Sequence, residues 1–534
     1  MLKLKDEEGV TSISMQNHTG KVPEGKRYRI VLIFPNPISM IPNGFMYVAK
    51  RFRNNGFEAT VMVNSFMNYK TMDDYFADIV QQKPDAVGFS YATINLLEIY
   101  RLQTKLRENG YLVIAGGDHP TICPEEVLRN GADIVVRGEG EIAIDDLCEW
   151  IRDGRRLEKR KNLRNVSFID DNHVFHNQST ERITDLDALG DLDITGLDLS
   201  PYQMVDGSIK GLNVILGGRG CPFKCTFCSH SAWNLYRCRS VDGMIAEMVK
   251  RNKEYGIKTF YISDETFSVH RSRVAEFCKR LINEKYGFRW LAQTRVNCVD
   301  EELLKLFKQS GCDLISLGIE SADDYTLKKV CKGFTAEQAY RTVELVGQTG
   351  VPLYVNLMTG FPWQTIESVK NDIKFIKSMG KYIECFQLFG AVIPYPDTPL
   401  YEEYHREYGF TEFWLKKKYQ YAGTCIYQNV TNPHAVSTYW QRNLYDDTYV
   451  NEDYFFRFSK PYKRWVSYMG ALIGWHSVKA ASKNPIRKYV RYGLGIGSRL
   501  LFELSPTLEK RLIGSLMKKN LLHQKRDLGR FIKT

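Results

Sequence analysis

The stretch GRGCPFKCTFCSH, from Gly218 to His230, places three thiols within eight residues, at Cys221, Cys225 and Cys228. Thiolates are soft ligands that select zinc or iron–sulfur clusters. A CxxxCxxC loop can hold three irons of a cubane and leave one iron open to a ligand from outside the chain. A closed zinc site would take His230 as its fourth ligand. Paired zinc knuckles are normally separated by about a dozen residues or more, so the three-cysteine cluster with an open iron is the favoured reading. Phe227, inside the last gap, is placed to stack on a planar partner of that iron. Gly218 and Gly220 suit a loop that must turn sharply around a cubane. The other nine cysteines are scattered, several in apolar runs such as AEFCKRL, and read as small buried hydrophobes in a reducing compartment.

A loop of this kind needs rigid elements to aim it. The apolar run LNVILGG leads directly into it. Five further runs follow: KTFYISDE, RWLAQTRVN, DLISLGIES, PLYVNLMTGFP and CFQLFGAVIPYP. Helical patterns separate them, each closing at a glycine. Six βα units predict a partial (β/α)6 TIM barrel with its functional loops at the strand C-termini, which is the end where the cysteines lie. Upstream, RIVLIFP, EATVMVN, PDAVGFS, YLVIAGG and ADIVVRG alternate with helices and predict a doubly wound, Rossmann-like parallel sheet. Its ligand belongs outside the strand C-termini, where Gly116, Gly117, Gly138 and Gly140 let a bulky group approach the backbone. Ordinary strand-to-helix turns would carry the same glycines. A length of 534 residues accommodates this division: a tail over 1–27, the first sheet over 28–182, a linker over 183–211, the barrel over 212–405 and a helical, basic region over 406–534.

CPFKCTFC resembles the cysteine motif of radical S-adenosylmethionine (radical SAM) enzymes. That resemblance implies a 4Fe-4S cluster whose unique iron binds SAM, with one-electron reduction cleaving SAM to a 5'-deoxyadenosyl radical, and it places Phe227 near the adenine. YISDETF, LGIESADD, KGFTAEQ and MTGFPWQT resemble further family segments. They imply that Asp264, Glu265, Glu320 and Ser321 approach SAM, with Arg295 and Asn356 at strand ends near its ribose or carboxylate. Trp363 and Gln364 stand where the family has Gly-Glu. GGDHPTICPEEVL and ADIVVRGEGE resemble the cobalamin-binding domain of one radical SAM subfamily, and EDYFFRFSKP its element beyond the barrel, so the resemblance runs from Arg29 to the 460s. No DxHxxG follows the first strand. The implied cobalamin then binds without a protein histidine on cobalt, and His119 lines the corrin or its phosphate tail. The subfamily's usual reaction is methylation of an unactivated carbon. Ring formation, oxidation or rearrangement without methyl transfer, as in anaerobic porphyrin cyclases, uses the same parts. An intact cysteine motif beside GIES argues against a non-catalytic cobalamin or redox sensor.

The positive excess is confined to the end of the chain: 457–534 carries 18 Lys+Arg against 3 Asp+Glu, out of 73 and 62 in all. This tail reads as a basic amphipathic segment on an anionic membrane surface or as a solvated cap over the barrel mouth. A nucleic-acid partner, as in a tRNA-modifying enzyme, ranks below both, because such enzymes usually carry a compact β-barrel RNA module. The expected partners are a small, hydrophobic or lipid substrate and an external one-electron reductant. The first residues hold no apolar stretch of the signal-peptide kind, so the expected location is cytoplasmic, extending to the inner membrane surface if the tail binds lipid.

Overall fold

A computed structural model describes residues 27–415, apart from 39–40, 66–70, 94, 179–181, 203–210, 230–234, 360, 365, 384 and 408–410, together with Ser12–Ile13. The helical tail expected over 406–534 lies almost wholly outside the described residues, as does His230.

The first strand, β1 (Ser12–Ile13), is a short bridge to β9 (Arg182–Ile183). The N-terminal sheet begins at β2 (Tyr28–Ile38) and continues through β3 (Phe57–Ser65), β4 (Ala86–Ser90), β5 (Leu112–Gly116) and β6 (Ile134–Val136). The intervening helices are α1 (Asn43–Asn54), α2 (Met72–Gln82), α3 (Leu96–Glu108), and the pair α4 (Asp118–Ile122) and α5 (Pro124–Arg129). These strands are parallel, in the order β3-β2-β4-β5-β6. Strand period decides the layering. Ile30 and Leu32 join a core with Phe45, Met46 and Phe52 of α1 and Ile144 and Leu147 of α6 (Gly140–Arg152). Val31 and Ile33 join the opposite core with Tyr75 and Ile79 of α2 and Ile99 of α3. Strand order reverses between β2 and β4, which makes the crevice above them the natural ligand site of such a sheet.

Two strands beyond the five read from the sequence complete it. β7 (Val166–Asp170) and β8 (His173–His176) add an antiparallel hairpin at the β6 edge, turned by Asp171 and Asn172 at φ 45° and 63°. The segment that follows packs across both domains. Lys50 donates to the carbonyls of Leu189 and Asp191 at 2.8 Å, Val61 N donates to Gly196 O at 2.9 Å, and Lys250 pairs with Asp191.

The second sheet holds six parallel strands in sequence order: β10 (Val214–Ile215), β13 (Thr259–Ile262), β14 (Arg289–Thr294), β15 (Cys312–Glu320), β16 (Leu353–Thr359) and β17 (Cys385–Ala391). Between β10 and β13 come the hairpin β11 (Gly218–Arg219) with β12 (Arg237–Cys238), and α7 (Val241–Tyr255). The outer layer continues with α8 (Arg271–Glu284), α9 (Glu301–Gln309), α10 (Asp324–Lys329), α11 (Ala336–Thr349) and α12 (Ile366–Met379), and α13 (Pro399–Tyr404) follows the last strand. α7 and α11 close on left-handed Gly256 and Gly350, whereas α8 closes on Lys285 at φ 53°, where a glycine was expected. Among the scattered cysteines, Cys148, Cys278 and Cys312 are buried as expected, but Cys331 is exposed. Among the described residues, no helix is long and apolar enough to cross a membrane.

Candidate active site

The cysteine loop hangs from the β11–β12 hairpin at the C-terminal end of the first barrel strand. Gly217 and Gly218 are required there by what packs on them. A Cβ at Gly217 would lie 2.3 Å from Asp264 Oδ1, and one at Gly218 would lie 2.9 Å from the Arg237 carbonyl. The sharp turn falls to Gly220, at φ 80°. Asp264, 1% exposed, thus forms the floor under the loop, with Arg273 Nη1 at 3.7 Å from its carboxylate. Burial pushes its carboxyl up to about 6, with Arg273 pulling the other way. Arg273 also donates to the carbonyls of Gly217 and Arg239 at 2.7 and 2.9 Å, tying α8 to the hairpin.

None of the three thiols is in a disulfide. Cys221 Sγ lies 3.6 Å from Thr266 Oγ1, and Arg295 Nη1 donates to Cys225 Sγ at 3.1 Å. A hydrogen-bond donor aimed at sulfur, as Arg295 is on Cys225, suits a thiolate that ligates a cluster. The loop is held to the rest of the barrel by Thr226 N on the Val330 carbonyl (3.3 Å) and by Leu400 N on the Thr226 carbonyl (3.0 Å).

A cavity of about 370 Å³ lies over the reversal point of the N-terminal sheet. Its floor is Ile30, Leu32, Gly88 and Ile114, and its rim carries Gly116, Gly117, Gly138 and Gly140. The four glycines singled out in the sequence therefore meet at one place. Gly117 has φ 97°, and a Cβ there would lie 2.8 Å from Tyr91 N; at Gly88 it would lie 2.6 Å from Leu32 Cδ2. The same wall includes Arg219, Gly220, Arg237 and Glu265 from the cysteine hairpin and its neighbour, so the cavity opens toward the cysteine loop. An apolar slot with a glycine rim fits the nucleotide tail and corrin edge of a cobalamin.

Two family models cover this arrangement: the B12 binding domain matches residues 37–148 and the radical SAM superfamily residues 215–376. An uncharacterised methyltransferase of Pyrococcus horikoshii, PH0819, is 30% identical over 393 residues, 71% of this chain and 83% of that protein. This chain belongs to the cobalamin-binding radical SAM enzymes. The anaerobic magnesium-protoporphyrin IX monomethyl ester cyclase of Rubrivivax gelatinosus is 28% identical over 68% of this chain, which spans 66% of that cyclase. The fold is also that of the radical SAM methyltransferase TsrM from Kitasatospora setae, solved with cobalamin and a 4Fe-4S cluster, with a TM-score of 0.58 at 18% identity over 72% of this chain and 79% of that one. The cofactors of the radical SAM reading are a 4Fe-4S cluster, SAM and cobalamin.

Within this radical SAM site the expected residues fall into distinct positions. Phe227 is half-buried, with its ring 6.0 Å from that of Phe361, which stacks in turn on Trp363 at 5.3 Å. Gln364, standing where the family has glutamate, accepts from Phe361 N at 3.3 Å and closes that turn. Glu320 occupies the left-handed region at φ 68° at a bulge in β15, and its carboxylate meets buried Lys332 at 3.3 Å. A β-carbon at Gly318 would lie 2.7 Å from that carboxylate. The ion pair with Lys332 thus helps hold a non-glycine residue in a sparsely populated backbone conformation. Ser321 is wholly buried and donates to Asp372 Oδ1 at 2.8 Å, so it shapes the turn from behind. Asn356 donates to Ser316 Oγ at 3.0 Å. Arg295 sits against the loop itself, on Cys225, where an approach to ribose or carboxylate was expected.

His119 needs a correction. It is 0% exposed and absent from the cavity wall. Its ring nitrogens meet Thr93 Oγ1 at 3.1 Å and Tyr100 OH at 3.0 Å, with Glu126 at 3.2 Å. Trp414 Nε1 donates to the other oxygen of Glu126 at 2.9 Å. This cluster fastens the segment after the barrel to the N-terminal domain on the sheet face opposite the cavity, so His119 does not line that cavity. Burial opposes the Glu126 charge, yet His119, Tyr100 and Trp414 together hold its carboxyl below the usual value.

Two acidic residues beside the expected glycines carry more than was read from them. Arg219 pairs with Glu141 at 2.6 Å and Glu139 at 3.4 Å, and Arg237 donates to Glu139 at 2.9 Å. Burial works against the Glu139 charge, but the two guanidiniums keep its carboxyl below the ordinary range. This bracket joins the RGEGE turn of the cobalamin domain to the GRGC turn of the cluster loop. The available signal was the pairing of two isolated glutamates with an arginine two residues before Cys221.

Proposed function

We propose that this chain methylates an unactivated carbon of a small hydrophobic molecule, using SAM and cobalamin. The observation that carries the reading is the shared wall: Arg219, Gly220, Arg237 and Glu265 of the barrel line the same cavity as Gly116, Gly117, Gly138 and Gly140. Transfer to one substrate requires both cofactors to face a common space. When bound, the cluster and SAM supply one-electron cleavage of SAM, and cobalamin supplies a transferable methyl group. The chain's own share is to hold the cluster on Cys221, Cys225 and Cys228, to fix that loop on Asp264 and Arg273, and to aim the sheet's crevice at it. Similarity to the uncharacterised methyltransferase PH0819 supports methyl transfer. The relative named as an anaerobic magnesium-protoporphyrin IX monomethyl ester cyclase supports a second reading, ring formation without methyl transfer. An external one-electron reductant and contact of the basic tail with a membrane surface belong to the same proposal.

The test is to incubate the anaerobically reconstituted protein with deuteromethyl-labelled SAM, a low-potential reductant and a lipid-phase extract of its native cells. Methyl transfer is expected to give S-adenosylhomocysteine and 5'-deoxyadenosine in equal amounts, with label in a new product. 5'-Deoxyadenosine formed with product but without S-adenosylhomocysteine would establish the second reading instead.

A further inference from the structure

Buried guanidiniums need negative charge beside them. Around the cysteine hairpin, Arg219, Arg237, Arg239 and Arg251 each have a carboxylate partner. Arg295 is different. It is 5% exposed, and among the described residues no carboxylate pairs with it. Its Nη1 donates to Cys225 Sγ at 3.1 Å, its Nη2 donates to the carbonyl of Lys332, and its Nε lies 3.5 Å from Asn297 Oδ1. Its guanidinium carbon lies over the ring of Phe223, 3.8 Å from the centroid. Phe223 stands between the first two cysteines, so the loop itself clamps the guanidinium. The negative charge that this cation lacks within the protein is what a cluster thiolate provides.

We infer that Arg295 sets the reduction potential of the iron–sulfur cluster by donating a charge-assisted hydrogen bond to the Cys225 sulfur. Reduction adds one electron to the cluster, and the fixed positive charge in a low-dielectric setting favours that electron. Stacking on Phe223 and the bond to Lys332 keep the donor on the sulfur, and Arg is the suitable cation because its planar fork can stack and donate at once. The inference rests on the cluster assignment, and iron analysis separates the two.

The experiment uses the full chain, anaerobically reconstituted, as wild type, R295Q, R295K and F223L. Iron and sulfide are quantified first, and a wild type without a cluster would overturn the cofactor assignment rather than this inference alone. Redox titration followed by EPR, without SAM, is then expected to show R295Q reduced at least tenfold less than wild type at equal potential, a fall of ~59 mV for one electron. F223L and R295K should fall in between. A shift smaller than tenfold in an R295Q protein with full iron overturns the proposal. Should R295Q take up no iron, wild type grown with heavy-nitrogen arginine decides: an arginine nitrogen coupled to the reduced cluster is expected, and its absence overturns the proposal. A residue that only braced Lys332 would alter neither potential nor coupling.

Discussion

At the scale of single residues, two positions make sharp tests. Gly117 is held at φ 97° with Tyr91 N 2.8 Å from where a β-carbon would stand. Gly117→Ala is therefore expected to cost about 1–3 kcal/mol of stability through strain and crowding and to lower the cobalamin retained on purification. Full retention with an unchanged melting temperature would refute that. Asp372 accepts from Ser321 Oγ at 2.8 Å and Ala322 N at 2.5 Å, and burial pushes its carboxyl up to about 7. A raised carboxyl contributes stability below the ordinary carboxylate range and loses it as pH rises through about 7. Asp372→Asn cannot ionise, so the wild type should lose stability relative to it between pH 4 and 7, with parallel curves above pH 8. Parallel melting curves across the whole range would mean that the buried carboxyl does not titrate there. The cysteine triad could be read from sequence because its spacing is local. The contacts of Arg295 and Asp372 could not be read, since their partners lie 70 and 51 positions away along the chain. The His119 assignment failed for the same reason: Thr93, Tyr100 and Trp414, which claim it, come from three separate segments.

At the level of elements, the barrel was legible because each parallel strand is buried and reads as one apolar run ending in a loop. The β7–β8 hairpin was missed because its strands are short and at an edge, although Asp171 and Asn172 have the two left-handed residues of a tight hairpin turn. The contact between the two sheets was missed because it is ionic. Arg219 and Arg237 from the hairpin grip Glu139 and Glu141 at the start of α6. Removing Glu141 leaves two buried guanidiniums, Arg219 and Arg237, to share Glu139, at a cost below the about 3–5 kcal/mol of a wholly unpaired buried charge. Glu141→Gln is thus expected to lower the melting temperature and the retained cobalamin several-fold, while iron incorporation stays at the wild-type level because the cysteines and Asp264 are untouched. Equal cobalamin retention in the variant would show that the bracket does not align the domains.

Across the whole molecule, charge is distributed very unevenly. The last 78 residues carry 18 basic against 3 acidic side chains, and the remaining 55 against 59 leave the rest slightly acidic. An acidic body with a basic end would orient itself on an anionic surface, at about 1 kcal/mol for each basic residue near lipid. The run from Trp465 to Trp475 sets apolar residues between two indoles, a composition suited to the interface. A hydrophobic substrate would be concentrated at such a surface, which links the tail to the proposed reaction. Full-length protein is accordingly expected to co-sediment with vesicles containing anionic lipid, to release as salt rises because screening shortens to ~10 Å at 0.1 M, and to ignore neutral vesicles. Truncation after Tyr462 should abolish this sedimentation while leaving the cluster and cobalamin content intact, because all three cysteines and the glycine rim lie before residue 230. Equal sedimentation with neutral and anionic vesicles, or none at low salt, would assign the tail's charge to solvation of the barrel mouth and remove the membrane from the reaction's setting.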